Sequence, residues 1–163
     1  MNYKKIIFLL GLVICSIAIV TAQDFKYIGA AKCKMCHNKA EKGQQFTQWA
    51  ASPHAKTMAR LKGAEAKDPK CLKCHSTAAG VDQALVATIT VAEGVSCESC
   101  HGPGSAYKVA TTMKDRKLAL SKGMVIPDEK TCKKCHNEQS PHYKGFNYKE
   151  YLAKVIHDDP TTK

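Results

Sequence analysis

The sequence predicts a mainly α-helical chain of short helices, with little β structure and little protein-only hydrophobic core. Three observations carry this expectation. The pentapeptide Cys-x-x-Cys-His occurs four times, as Cys33-Lys34-Met35-Cys36-His37, Cys71-Leu72-Lys73-Cys74-His75, Cys97-Glu98-Ser99-Cys100-His101 and Cys132-Lys133-Lys134-Cys135-His136. The segments between these motifs are short, and several place apolar residues at helical spacing between Pro and Gly punctuation. The motif starts are also unevenly spaced, which excludes a solenoid.

Cys-x-x-Cys-His is the c-type haem attachment signature. Its two thiols add across the vinyl groups of one haem, and its histidine sits beneath the iron as proximal ligand. The rival readings of paired cysteines are zinc ribbons, redox pairs and disulfides, and none of them needs the histidine. With seven His among 163 residues, chance would put His after all four second cysteines about once in 300,000 draws. Four covalent haem c groups follow, held by Cys33, Cys36, Cys71, Cys74, Cys97, Cys100, Cys132 and Cys135, with His37, His75, His101 and His136 as proximal ligands. Four large flat cofactors then stand in for missing core side chains, so the chain without them is expected to be largely unfolded.

Taken in order, residues 38–50 read as a helix carrying Phe46, Trp49 and Ala50 on one side. Ser52-Pro53 supplies an N-cap with proline at the first helical position, opening a helix to Leu61 that Gly63 stops. Residues 63–70 and 76–83 read as loops, and alternation over 85–91 suggests one short strand. Gly102-Pro103-Gly104 forces a turn. Residues 106–121 read as one longer helix stopped by Gly123, and Pro127-Asp128-Glu129 opens the helix of the fourth motif. Tyr148, Tyr151, Leu152, Val155 and Ile156 follow helical spacing up to Asp158-Asp159-Pro160.

The N-terminus reads as a secretory signal peptide over 1–22. Lys4 and Lys5 precede an apolar run from Ile6 to Val20, and cleavage after Ala22 would leave one domain over 23–163. Cys15 lies inside the apolar run behind Ile14, where a lipoprotein site would need a small residue, so it reads as part of the removed signal. Export to the periplasm suits haem c attachment, which happens outside the bacterial cytoplasmic membrane. No membrane association is expected after cleavage. The chain's formal charge of +11 falls to about +5 in an oxidised, signal-free holoprotein once eight propionates and four ferric centres are counted. Its basicity is therefore no argument for nucleic acid; lysines around haem edges steer acidic redox partners.

Only three histidines lie outside the motifs: His54, His142 and His157. Four irons cannot all be bis-histidine, so at least one takes another sixth ligand or stays open. His54 is the leading distal candidate, in the first turn after the Ser52-Pro53 cap with Met58 and Leu61 on its face. His157 follows, at a helix end; its alternative is a solvated residue favoured by the helix dipole. His142, in Ser140-Pro141-His142-Tyr143, is either a ligand or a loop residue. Met113 is either a thioether ligand or ordinary core filling, and Tyr107 is a weaker candidate for the same iron.

These residues resemble the tetrahaem cytochrome c-554 family. The resemblance is carried by Gly29-Ala30-Ala31-Lys32 before the first motif, by Trp49 with Ser52-Pro53-His54-Ala55-Lys56, and by Gly94-Val95-Ser96 and Gly102-Pro103-Gly104 around the third. It implies a helical tetrahaem electron carrier with haems in stacked and perpendicular pairs. It also implies that His54 serves the third haem, that His157 serves the fourth, and that the second haem, on His75, has an open distal face. The family's first haem takes a histidine shortly after the Gly-Pro-Gly turn, where this chain has Tyr107 and Met113 instead. The family is associated with hydroxylamine oxidoreductase as electron donor and with nitric oxide chemistry.

The leading functional reading is an exported carrier that passes electrons between redox protein partners. One alternative is a small reductase of nitric oxide, nitrite or hydroxylamine at an open haem. Another is a non-catalytic haem subunit of a larger redox complex.

Overall fold

The computed structural model describes residues 25–161, so the signal-peptide reading of 1–22, with Cys15, lies outside the described residues. The fold is a succession of short helices and 3-10 turns, and among the described residues there is no strand. Hydrophobic burial is sparse: among these residues only Ile28, Ala30, Ala78, Ile89, Tyr107 and Ala119 are buried apolar side chains. A chain of this length normally closes around far more apolar area.

Each motif lies on or runs out of a helix: Ala30–His37, Pro69–His75, Cys97–His101 and Glu129–Lys133. Two of these starts show why. Asp68 accepts from Lys70 N at 2.8 Å ahead of Pro69, and Asp128 accepts from Thr131 N at 2.9 Å. The first of these caps opens a helix inside what the sequence suggested was a loop, which itself begins as the 3-10 turn Gly63–Lys67. The second expected loop is also partly helical, as Thr77–Gly80, with Ser76 Oγ accepting from Ala79 N at 3.4 Å.

Four further expectations are corrected. The helix over 38–50 is interrupted: Ala40–Lys42 is a 3-10 turn, Gly43 and Gln44 take positive φ (85° and 51°), and the helix is Gln45–Ala51. Gly43 has no room for a side chain, because the Asp158 carbonyl packs against it. The helix from Ser52 to Leu61 is two 3-10 turns, His54–Lys56 and Met58–Arg60, and the Ser52 side chain makes no cap. The His54 carbonyl, which an α-helix would give to Met58 N, instead accepts from Val95 N at 3.1 Å and Thr57 Oγ1 at 3.0 Å. The strand over 85–91 reduces to one parallel bridge, Tyr27 with Val86, because that segment finds a partner only at Tyr27. The helix over 106–121 is broken into Ala110–Met113 and Arg116–Ser121, since Asp115 turns its carboxylate to Leu118 N at 2.9 Å and restarts the chain as an N-cap.

The C-terminal helix Tyr148–Leu152 is capped by Asn147. Beyond it the chain returns to the first third of the molecule, where Gln45 Nε2 donates to Asp158 O at 3.0 Å and Lys42 pairs with Asp159 at 3.4 Å. This return leg carries His157. No helix among the described residues is long and apolar enough to cross a membrane.

Candidate functional site

Among the described residues no disulfide joins the motif cysteines. Three of the motifs lie wholly within their helices, where Cys at i and i+3 and His at i+4 share one face, the arrangement needed to meet one flat ring. The fold then groups the motifs. The side chains of Cys33 and Cys97 lie close together, bringing motifs one and three into proximity, and those of Cys74 and Cys135 do the same for motifs two and four. Cys100 and Cys132 lie within electrostatic reach of one another, linking the two groups. Among the described residues no three His, Cys, Asp or Glu side chains converge as a metal cage, the arrangement that a four-cysteine zinc site requires.

Two histidine pairs stand out. The ring centroids of His54 and His136 lie 6.1 Å apart with the planes at 70°, and those of His101 and His157 lie 6.0 Å apart at 57°. An imidazole nitrogen bonds a metal at about 2.0 Å and the ring centre lies about 1.1 Å further back, so two axial histidines on one iron sit about 6.2 Å apart. Both pairs meet that span. In this structure His54 lies beside the fourth motif's histidine and His157 beside the third's, whereas the resemblance implies the third haem for His54 and the fourth for His157. The physical reason is the chain's return leg, which brings His157 to His101, while the bond from Val95 N to His54 O fixes the 54–57 turn where its ring meets His136.

The ring nitrogens are sorted as ligation requires. Nδ1 of His75 lies 3.0 Å from Thr57 O, that of His101 3.3 Å from Val125 O, and that of His157 3.2 Å from Val155 O. A carbonyl at Nδ1 takes the ring proton there and leaves Nε2 free for a metal. Burial holds His54, His101 and His136 below the usual histidine pKa, against the raising effect of the hydrogen bond to Val125 O at His101. Phe146 stacks on His136 at 4.9 Å and Tyr151 flanks it at 5.8 Å. An open surface cleft of about 500 Å³ lies beside His136, lined also by Lys133, Asn137, Glu138, Gln139 and Tyr143. The sparse apolar core, the paired imidazoles and this cleft all fit covalent haem.

The remaining candidates separate clearly. Among the described residues, no second imidazole ring faces His37 or His75. Tyr107 is buried and its hydroxyl donates to Gly102 O at 2.9 Å, and burial pushes its phenol pKa well up, so it is a neutral packing residue. Met113 is half-buried at the end of its short helix. His142 is exposed in a turn closed by Tyr143 N on Ser140 O at 3.1 Å.

Sequence reasoning missed two residues that organise the site. Thr57 joins both sides of the motif-two region: Oγ1 donates to His75 O at 2.7 Å, while its carbonyl holds the His75 ring. Glu98, inside the third motif, is 1% exposed and binds backbone amides of two other segments. The only available signal for Glu98 was its place inside an attachment motif.

Residues 32–102 match the family model described as cytochrome c554 and c-prime. The chain is also similar to cytochrome c-554 of Nitrosomonas europaea, at 28% identity over 86% of this chain and 73% of that protein. No solved structure matches it.

Proposed function

We propose that the chain is a member of the cytochrome c-554 family, to which its similarity to that family's model and to cytochrome c-554 points, and that it is an exported tetrahaem c-type cytochrome that carries electrons. In this reading residues 23–163 form one domain with a haem c on each Cys-x-x-Cys-His motif, released by cleavage after Ala22 and passing electrons between redox protein partners in the periplasm. The observation that supports it is the pair of close histidine couples, His54–His136 and His101–His157, each with a ring separation that suits two ligands of one iron. A haem so held supplies one-electron ferric/ferrous chemistry with little rearrangement.

The protein's own part is positioning. Thr57, Val125 and Val155 orient the imidazoles through their carbonyls. The close approaches of the cysteines that link the motifs in the order one, three, four, two support a continuous row of closely spaced centres. For the first motif, with Tyr107 engaged by Gly102, Met113 is the preferred sixth ligand; His142 is the remaining alternative.

The His75 centre supports a second reading. With no imidazole facing its ring among the described residues, it is suited to an open distal face that admits a small ligand such as nitric oxide. Electron transfer ranks above the reductase alternative, because binding needs only an open face while turnover also needs placed proton donors.

The test is a count. A pyridine haemochrome assay on the exported protein should give four haems that survive acid–acetone extraction, with no zinc. Fewer than three haems, or stoichiometric zinc, sinks the reading.

A further inference from the structure

Glu98 stands at 1% exposure in the middle of the third attachment motif. Its two carboxylate oxygens accept from Ile28 N at 3.0 Å, from Gly29 N at 2.7 Å and from Gly104 N at 2.6 Å. Every partner is an N–H donor, so both oxygens act as acceptors, as those of an ionised carboxylate do. No lysine or arginine pairs with it: the ion pairs among the described residues are Lys42–Asp159, Lys133–Glu129 and Lys154–Glu150. Burying a charge without a counter-cation is costly.

Its position gives the charge a use. Gly29 precedes the Ala30–His37 helix of the first motif, and Gly104 closes the turn after the third. The carboxylate therefore lies between the two attachment helices whose thiols, Cys33 and Cys97, lie close together. Burial and then the Glu98 charge push the Tyr27 phenol above its usual pKa. The same charge also acts on Cys33, Cys97 and Tyr107.

We propose that Glu98 sets redox potential: its buried negative charge favours the ferric state of the haems at motifs one and three, and lowers their potentials relative to those at motifs two and four. The proposal rests on the tetrahaem reading above. A ferric centre carries one more positive charge than a ferrous one, and a fixed anion in a low-dielectric interior stabilises the more positive state. The outcome is a direction, since electrons entering at the motif-one end run downhill through motifs three and four to the His75 centre.

Spectroelectrochemical titration of the whole holoprotein tests this, with haem count and spin state checked for each variant. Glu98→Gln removes the charge at nearly constant shape. Two of the four potentials should rise by at least a tenfold shift in the ferric/ferrous ratio, about 59 mV for a one-electron couple, with the other two unmoved. Glu98→Asp, which keeps the charge, should leave all four low. Because Glu98→Gln turns an amide NH₂ toward backbone donors and can fail to fold, Tyr27→Lys is the independent arm. A cation beside the carboxylate should raise the same two potentials. Unmoved potentials in whichever of these two variants folds, a uniform rise of all four, or an equal rise in Glu98→Asp would overturn the proposal. A wild-type haem count below four would instead overturn the tetrahaem reading beneath it.

Discussion

Gly94→Ala is the sharpest test of how the chain holds His54. Gly94 is buried with φ 69° and ψ −142°, a region close to one that essentially only glycine occupies. A Cβ there would lie 2.6 Å from Thr57 Oγ1 and 2.9 Å from His54 O, where ordinary contact begins near 3.4 Å. Thr57 would have to retreat by about 0.8 Å, judged against that limit. It cannot do so freely, because its hydroxyl donates to His75 O at 2.7 Å and accepts from Val95 N at 3.2 Å. Backbone strain of about 1–3 kcal/mol and one compromised hydrogen bond of about 1 kcal/mol together come to about 3 kcal/mol. For a domain of this size that corresponds to a fall in Tm of about 10 °C. The assay is thermal unfolding of the holoprotein, followed by electron paramagnetic resonance of the ferric form. The low-spin signal assigned to the His54–His136 centre should broaden or give way to high spin. A fall in Tm under about 2 °C with an unchanged spectrum would refute the argument that Gly94 is required by the close approach of the 54–57 turn.

Three further outcomes follow from the same geometry. His54→Ala should convert one low-spin iron to high spin or water ligation, at the haem of Cys132 and Cys135, while His157→Ala should do so at the haem of Cys97 and Cys100; assignment by proton nuclear magnetic resonance that reverses the two would refute the pairing. Thr57→Val, nearly isosteric, removes the donor to His54 O and His75 O and should lower stability by about 1–3 kcal/mol in denaturant unfolding; a neutral result would mean water replaces the hydroxyl. The reduced protein should bind carbon monoxide or nitric oxide at about one haem in four, and Met113→Ala should abolish any near-infrared band of a His/Met iron; four irons inert to both gases would leave only the carrier readings.

What was legible in the sequence was the chemistry carried by residue type at fixed spacing. The four pentapeptides, the turn at Gly102 and the helix start at Pro127-Asp128-Glu129 need only local geometry, and each is found where it was expected, although the cap itself falls on Asp128. The arithmetic of three spare histidines against four motif histidines was equally local, since it needs no coordinates. The helix at Pro69–His75 was readable too, from Asp68-Pro69, and was overlooked because its neighbours Gly63 and Lys67 resemble loop residues. The long-range choices were not readable. Gly43 and Gln44 break a helix because the distant Asp158 carbonyl presses on Gly43, and the 54–60 segment tightens because Val95 claims a carbonyl from 41 positions away.

The same long-range bonds explain why His54 lies beside His136 and His157 beside His101. Each distal imidazole is delivered by a segment that has little packing of its own, His54 by a pair of 3-10 turns and His157 by an exposed return leg. Order in sequence says nothing about which motif such a segment reaches. What decides it is anchoring: Val95 N and Thr57 Oγ1 hold the first segment beside motif two and so opposite His136, while Gln45 and Lys42 hold the second and leave His157 opposite His101. A protein with few buried apolar side chains among its described residues thus fixes the placement of these imidazoles through hydrogen bonds made far along the chain. Substitutions at Gly43, Gly94 and Thr57 should therefore perturb axial ligation more than changes at its exposed apolar residues, such as Met35 or Ile156.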